Sequence, residues 1–297
     1  MVAAAAGHRR FYPFIKWAGG KTQLLSHLDA LLPPSFGRYF EPFLGGGAVF
    51  FHLLSSRGPF PAFLSDINSD LMLAYRVVRD DVEGLIAVLQ KHEARFAHGR
   101  DRYYYRLRAA PPPSDDVERA ARFIMFNKTC FNGLYRVNRS GRFNVPIGRY
   151  ENPRICDAQA LRQASVALGS GARLACRHYS QALAGARKGD LVYLDPPYSP
   201  ASGTARFTEY TNGGFGDDDQ HELRDVFEEL AGRGCTVILS NSDTPLIRRL
   251  YAGHLFVQVK AARAINCKAA RRRGHSELLI MNSNHDNNSN NSSSSSS

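Results

Sequence analysis

The sequence lacks the ligand patterns of a zinc site and the long apolar runs of a membrane protein. Its five cysteines include no C-x-x-C pair and no histidine at zinc-ligand spacing, so we expect no bound metal. No apolar run approaches the roughly 18 residues of a membrane span, and residues 1–10 lack the hydrophobic segment of a signal peptide. These absences predict a soluble, cytoplasmic protein with no membrane partner, and the odd cysteine count fits a reducing compartment.

Acidic residues are scarce relative to basic ones. The chain has 38 Lys and Arg against 27 Asp and Glu, which gives a formal net charge of +11. Residues 91–154 hold 14 Lys and Arg against 6 Asp and Glu, so most of the excess lies in one stretch. Many basic proteins bind nothing in particular, but a local concentration of positive charge is what phosphate neutralisation requires. The charge distribution favours a polyanionic partner.

A missing glycine excludes an ATPase. Residues 16–22 read KWAGGKT, which resembles the end of a phosphate-binding loop. That motif needs another glycine at the position that Ile15 occupies here.

The most informative feature present is the tetrapeptide Asp195-Pro196-Pro197-Tyr198, which directly follows the apolar run at 191–194. The Asp195 carboxylate and the Pro196 carbonyl can each accept a hydrogen from one exocyclic amine, while the two prolines hold both acceptors rigidly. Tyr198 offers a face for stacking on the ring that carries the amine. The alternative is a proline-rich strand exit with a capping aspartate.

A glycine loop lies upstream. Residues 39–50, YFEPFLGGGAVF, indicate a short strand, a loop and the start of an apolar helix. The next predicted strand ends at Asp66, about 20 residues on, the distance at which nucleotide-binding folds place a carboxylate on ribose hydroxyls. Three successive glycines alone also suit a tight turn. Together with Asp66 and Asp195, they favour a nucleotide-binding edge.

The order of strand and helix signals indicates one interrupted sheet. The signals alternate over the first 75 residues and again after Arg173, which is typical of parallel βα units. Residues 76–165 break this pattern with charged amphipathic stretches and with turn residues Ser140 and Gly141 between two arms. We therefore expect a helical insert carrying a β-hairpin. Residues 282–297 are nearly all Asn and Ser, and we expect residues 1–10 and 282–297 to be disordered tails.

These motifs resemble the DNA adenine-N6 methyltransferase family typified by Dam. The resemblance covers nearly all of residues 11–281 and includes, besides the glycine loop and DPPY, the stretches FIKWAGGK, CFNGLYRVN, FNVPIGRY and SNSD in order. It implies an α/β fold, a Rossmann-like doubly wound methyltransferase sheet. It also implies a cofactor-binding catalytic domain at 11–75 and 166–281 and a DNA target-recognition insert at 76–165.

The same resemblance implies S-adenosylmethionine as the cofactor. The implied cofactor-binding residues are Trp17, Lys21, Phe43, Gly45, Gly47, Asp66, Tyr179 and Asp195, and the implied catalytic residues are Asp195, Pro196, Pro197 and Tyr198. Lys21 can instead be a helix-capping lysine without a ligand. Residues 200–216 are long enough to be a lid over a flipped base, or an ordinary surface loop.

Double-stranded DNA is the implied partner, bound by a monomer associated with the nucleoid. The predicted DNA-binding residues lie on or near the hairpin and are Lys16, Lys128, Phe131, Asn132, Leu134, Arg136, Asn138, Asn144 and Arg149. Arg136 can donate two parallel hydrogen bonds to a guanine, and the similarity of the NGLYR stretch suggests a GATC target. The alternative for any one of these residues is that it only caps or solvates a turn.

Three rival functions remain open at this point. A cytosine-N4 methyltransferase uses the same amine clamp but more often has serine in place of Asp195. A glutamine methyltransferase usually has asparagine there and has no use for a basic insert. A DNA-binding relic that has lost catalysis has no need to keep the glycine loop, Asp66, Asp195 and Tyr198 together.

Overall fold

A computed structural model describes residues 10–17, 24–197, 215–261 and 275–283. The helices are α1 (Leu25–Asp29), α2 (Ala48–Arg57), α3 (Ser69–Asp80), α4 (Val82–Ala109), α5 (Asp116–Thr129), α6 (Ala158–Gly169), α7 (Tyr179–Leu183), α8 (Asp217–Gly232) and α9 (Pro245–Leu250). The strands are β1 (Tyr39–Glu41), β2 (Ala62–Asp66), β3 (Ala172–Cys176), β4 (Leu191–Leu194), β5 (Thr236–Ser242), β6 (Leu255–Ala261) and β7 (His275–Met281).

Within these residues the strands form one seven-stranded sheet in the order β3-β2-β1-β4-β5-β7-β6. The first five strands in this order are parallel, and β7 pairs antiparallel with both β5 and β6. The chain runs outward from β1 to β3, then returns to the other side of β1 with β4. The order therefore reverses between β1 and β4, which is the topological switch point of a doubly wound sheet. The predicted Rossmann-like methyltransferase fold is confirmed.

Both faces of the sheet are covered, which explains why its central strands are apolar throughout. Strand β4 is buried at all four positions. One face packs on α1 to α6 in a cluster that includes Phe51, Tyr75 and Leu89. The other face packs on α7, α8 and α9 around Phe227 and Tyr251. Central parallel strands with two covered faces need apolar residues at both alternating positions.

The basic stretch forms helices α4 and α5 and the loop that follows. Asp81, Asp115 and Asp157 each cap a helix, accepting the backbone N–H of Gly84, Glu118 and Ala160 at 2.8–3.1 Å. Helix α4 bends at Gly99, whose φ of −155° and ψ of 37° are not helical. Buried residues of α4 and α5 belong to the same apolar cluster as the sheet face, so these helices and the sheet share a core.

The predicted insert boundaries do not coincide with the ends of helices. The junctions at 75/76 and 165/166 fall inside α3 and α6. Because a helix packs as one unit, we place the insert at 81–157, between those two helices. At the other end, Asn282 is not part of a disordered tail: it is 4% exposed, its Oδ1 accepts the Val237 N–H at 2.8 Å, and its Nδ2 donates to the Cys235 carbonyl at 3.1 Å.

The predicted hairpin is present as a loop joined at a few points, not as two regular strands. The arms meet in single antiparallel bridges, Val137 with Phe143 and Cys130 with Ile147. Pro146 lacks an N–H, and the Asn138 side chain takes up backbone donors at the turn, so a continuous ladder does not form.

The residues that the structure describes contain no helix that is both long and apolar enough to cross a bilayer. They also contain no cluster of three His, Cys, Asp or Glu side chains positioned to hold a metal ion.

Candidate active site and DNA-binding surface

Three predicted features meet at the carboxyl edge of the sheet. The glycine loop follows β1, Asp66 ends β2, and Asp195 directly follows β4. Strand β1 pairs in parallel with both β2 and β4, so these strand ends are neighbours. They lie at the switch point, where doubly wound sheets open a crevice for ligands. The structure therefore joins residues that are far apart in the sequence.

The glycine loop requires glycine for both its backbone and its packing. Gly45 and Gly47 have φ values of 48° and 68°, a region that side chains disfavour. A Cβ added to Gly45 would lie 2.7 Å from Trp17 Cδ1, and one added to Gly47 would lie 2.8 Å from the Tyr75 hydroxyl oxygen. Glycine at these two positions therefore lets the loop pack closely against Trp17 and Tyr75, and its role in binding a cofactor stays a prediction.

Asp66 connects the glycine loop to the start of α3. Its Oδ2 accepts the Gly45 N–H at 3.1 Å, and its Oδ1 accepts the Asn68 N–H at 2.9 Å. Burial raises the pKa of Asp66, and these backbone donors oppose the rise. Ile67, which the sequence analysis did not select, follows with 57% of its surface exposed and offers an apolar contact beside this carboxylate.

Aromatic side chains gather at the same edge. The rings of Phe43 and Tyr179 lie 5.2 Å apart at 31°, and Phe215 lies 6.2 Å from Phe43 and 6.4 Å from Tyr179. Aromatic faces are the surfaces on which purine rings stack. Phe215 lies in the 200–216 segment considered as a lid, but its contact with Phe43 could be seen only in the fold. Lys21, Tyr198 and the predicted lid up to residue 214 lie outside the described residues.

Asp195 is oriented by the neighbouring strand. The Ser240 hydroxyl donates to Asp195 Oδ1 at 2.8 Å, and the Tyr193 hydroxyl donates to Ser240 Oγ at 3.1 Å. Leu194 pairs with Leu239, which places Asp195 beside Ser240. Pro196 and Pro197 continue the chain with fixed φ. Ser240 was seen in the sequence only as part of the SNSD resemblance, and its contact with Asp195 was missed.

A third carboxyl group, Glu41, lies beneath this edge. Glu41 is 2% exposed, and the Tyr39 hydroxyl donates to its Oε2 at 2.9 Å. Burial raises the pKa of Glu41 to about 8, a rise that Tyr39 opposes and that the charges of Asp195 and Asp66 reinforce. Glu41 is therefore mostly protonated at neutral pH. The sequence analysis did not select it, although its place in the EPF segment next to the loop was a usable signal.

Two of the predicted DNA contacts pair with each other. Arg136 Nε donates to Asn144 Oδ1 at 2.7 Å, and the Arg136 side chain is exposed. Asn138 Oδ1 accepts the N–H groups of Ser140 and Arg142 at 3.0 and 2.9 Å. Asn138 thus shapes the turn, which was the alternative held open for each of these residues.

The other candidates surround the base of the loop. Lys16 Nζ lies 4.2 Å from the centre of the Tyr150 ring, and Asn127 Oδ1 accepts the Lys16 N–H at 2.9 Å. Burial, and then the nearby charge of Lys16, lower the pKa of Lys128 to about 8. The remaining candidates are Phe131, which is 37% exposed, Asn132, which has a φ of 56°, the half-buried Leu134 and the exposed Arg149. Asn127 was missed.

Comparisons with known proteins agree with this geometry. The family model of D12 class N6 adenine-specific DNA methyltransferases matches residues 17–265. The type II methyltransferase M.MjaIII of Methanocaldococcus jannaschii is 44% identical over 91% of this chain and 98% of its own length. DNA adenine methylases of Vibrio cholerae and Escherichia coli K12 are 37% and 35% identical over 90% of this chain and 95% and 94% of theirs.

One solved structure is also similar. An rRNA methyltransferase from Streptomyces viridochromogenes overlaps with a TM-score of 0.38 at 16% identity, covering 87% of this chain and 82% of that one. An overlap this loose supports no argument about function.

Proposed function

The chain belongs to the D12 class N6 adenine-specific DNA methyltransferase family, and from that premise we propose that it moves a methyl group from S-adenosylmethionine to adenine N6 within GATC in duplex DNA. Membership in this family decides against the cytosine-N4 and glutamine rivals. One observation carries the assignment of the site. Asp195, oriented by Ser240, lies at the switch point beside the glycine loop and Asp66.

The residues of this edge suit the proposed cofactor. Gly45 and Gly47 have positive φ and pack against Trp17 and Tyr75, so they fix the path of the loop beside the end of β1. Asp66 can accept hydrogen bonds from ribose hydroxyls, and Phe43, Tyr179 and the exposed Ile67 offer apolar surface to an adenine. Trp17 borders the loop. S-adenosylmethionine, when bound, supplies an electrophilic methyl on a sulfonium.

Asp195 and Pro196 act on the nucleophile. Adenine N6 is a weak nucleophile because its lone pair is delocalised into the ring. When the Asp195 carboxylate and the Pro196 carbonyl accept hydrogen bonds from the two N6–H groups, the nitrogen moves toward tetrahedral geometry. Its lone pair then becomes available for attack. Ser240 and the prolines hold these acceptors in place before the substrate arrives, so little reorganisation is needed at the moment of reaction.

The target adenine must leave the duplex stack to reach Asp195, at a cost of a few kcal/mol. We propose that Tyr198 stacks on the flipped base. The basic insert supplies phosphate contacts, with Arg149 and Lys128 among them, and Arg136 reads a guanine through its guanidinium. The Asn144 carboxamide supports this proposal because it holds Arg136 Nε and thereby orients the guanidinium.

A direct assay tests the proposal. The purified protein is incubated with S-adenosylmethionine and a duplex containing every four-base site, and the digested nucleosides are identified with their sequence context. N6-methyladenine confined to GATC is the expected product. Methylation of adenine at another site would keep the chemistry and discard the proposed specificity. Methylation that does not depend on S-adenosylmethionine would exclude this compound as the methyl donor.

A further inference from the structure

Trp17 belongs to two surfaces at once. On one side its indole abuts the glycine loop, where a Cβ on Gly45 would come within 2.7 Å of Cδ1. On the other side it faces the ring of Tyr135, with centroids 6.3 Å apart and planes inclined by 24°. Phe123 completes the cluster, 6.3 Å from Trp17 and 5.5 Å from Tyr135. The indole is therefore held between the proposed cofactor loop and the recognition insert.

Tyr135 also fixes the insert to the catalytic sheet through its hydroxyl. The Tyr135 hydroxyl donates to Asp70 Oδ2 at 2.7 Å, and Arg119 Nη2 donates to Asp70 Oδ1 at 3.3 Å. Asp70 lies in the first turn of α3, the helix that begins just after Asp66. Burial, and then the Asp70 charge, raise the pKa of Tyr135, so the phenol stays a neutral donor.

The neighbours of Tyr135 make this anchor relevant to DNA. Leu134 precedes it and Arg136 follows it, and both are proposed to contact the duplex. A second link runs in parallel, because Asn127 bonds to the backbone of Lys16 and, at 3.3 Å, to the Gly133 carbonyl. The segment before the glycine loop and the segment that reads DNA thus share side-chain contacts.

We propose that Tyr135 is a positioning residue that couples cofactor binding to DNA binding, its ring supporting Trp17 beside the glycine loop and its hydroxyl fixing the recognition arm to Asp70. This inference rests on the proposed function. A ligand that orders Trp17 and Tyr135 from either side lowers the ordering cost for the other ligand. Such coupling is reciprocal, so each ligand raises the affinity for the other by the same factor.

The test measures that factor by calorimetry. The probe S-adenosylhomocysteine is titrated into the protein with and without a GATC duplex, and the duplex is titrated with and without the probe. For the wild type we expect each ligand to tighten the other about fivefold or more. In Tyr135→Phe, which keeps the ring and removes only the hydroxyl, we expect the factor to fall toward one while each separate affinity changes less than about threefold.

Two further variants separate coupling from a loss of folding. Tyr251→Phe removes a buried hydroxyl on the opposite face of the sheet and should leave the factor unchanged. Adding Tyr135→Phe to Asp70→Ala should cause no further loss of coupling, because both substitutions break the same bond. If Tyr135→Phe and Tyr251→Phe unfold at the same temperature, a difference in coupling between them cannot be caused by a difference in stability.

The outcomes distinguish the inference from the proposed function. A wild-type coupling factor of one, or a factor that survives in Tyr135→Phe, would overturn the coupling role. An equal loss in Tyr251→Phe would assign the effect to general destabilisation and overturn it as well. If the wild type binds the duplex but not the probe, the cofactor assignment fails first and the inference fails with it.

Discussion

The carboxyl edge of the sheet and the recognition loop differ in how their functional side chains are held. At the edge, Asp195 and Asp66 accept hydrogen bonds from partners outside their own strands, and Glu41, which is bonded to Tyr39 of the same strand, is almost completely buried. In the loop, Arg136 is exposed, and its partner Asn144 lies in the same loop. The first arrangement is held by contacts between distant parts of the chain, whereas the second depends on a contact within one exposed loop.

This difference matches the two tasks. Methyl transfer depends on acceptors that are in place before the reaction, because their reorganisation would add to the barrier. Sequence recognition depends on long side chains that reach base edges in a groove, and it tolerates movement before contact. Substitutions at the edge should therefore change the rate, and substitutions in the loop should change the choice of site.

The largest effect is expected from Asp195→Ala. Loss of one acceptor of the N6 hydrogens should lower the methylation rate by about a thousandfold, or ~4 kcal/mol. Duplex affinity should stay within a few fold, because the residues proposed to contact phosphates lie on the insert. Methylated nucleosides and filter binding measure the two quantities, with Asp225→Ala on exposed α8 as the control. A parallel loss of binding would mean that Asp195 supports the structure instead.

The next effect tests the loop. Arg136→Ala should reduce the preference for one guanine by about 1 to 3 kcal/mol, since a bidentate contact to O6 and N7 is lost. Competition between duplexes that differ at single positions gives this number. Arg149→Ala is the matched control: it should weaken all duplexes alike and lower the slope of log affinity against log salt by about one. Unchanged preference in Arg136→Ala would move recognition elsewhere on the insert.

The two regions were also unequally predictable from sequence. The strand ends and the glycine loop follow from local patterns: apolar runs, glycines and the Asp66 and Asp195 positions that end them. The contacts that hold these features in place do not follow from local patterns. Ser240 meets Asp195 across 45 residues, Tyr135 meets Asp70 across 65, and Asn127 meets Lys16 across 111. No periodicity within one segment encodes such a pair, so only the fold reveals it.

Other misses have local causes. Strand β3 was not recognised because it is an edge strand, and none of the five residues in its sequence ARLAC is fully buried. The full length of helix α4 was not predicted, since the polar residues in its second half and the bend at Gly99 hide its continuation. The hairpin was predicted from its turn residues, but its arms form only isolated bridges. The Asn138 side chain occupies backbone N–H groups that a regular ladder would use, and Pro146 has no N–H to donate.

A pH series tests how strongly the carboxyl edge is buried. Glu41 is ionised above its usual pKa of 4.5 in the unfolded chain but stays protonated in the folded protein until about pH 8. In that window the folded state binds more protons, so the free energy of unfolding falls as pH rises, by about 1.4 kcal/mol per unit. The side chain of Glu41→Gln cannot ionise, so its free energy of unfolding should not fall in this way. Between pH 5 and 7 the difference between the variant and the wild type should therefore grow at the same slope in favour of the variant.

Denaturant titrations at four pH values measure the Glu41 effect. Glu151→Gln, on the exposed surface of the insert, serves as the control and should give curves parallel to those of the wild type. If Glu41→Gln is also parallel to the wild type, Glu41 is ionised in the folded protein at neutral pH, and the edge is less isolated from solvent than its 2% exposure implies.

The smallest expected effect, that of Asn144→Ala, distinguishes two possible roles of Asn144. If Asn144 contacts a phosphate, its loss would weaken every duplex equally and lower the salt slope by about one. As the acceptor for Arg136 Nε at 2.7 Å, its loss would leave the guanidinium unoriented, reducing discrimination by about 0.5 to 1 kcal/mol at the same guanine that Arg136→Ala affects. We expect the second pattern for Asn144→Ala.

In a double-mutant cycle, Asn144→Ala should then add nothing to Arg136→Ala, because an arginine that is absent needs no orientation. Additive losses with a reduced salt slope would assign Asn144 to the phosphate backbone and would show that the loop, unlike the sheet edge, does not prearrange its reading residue.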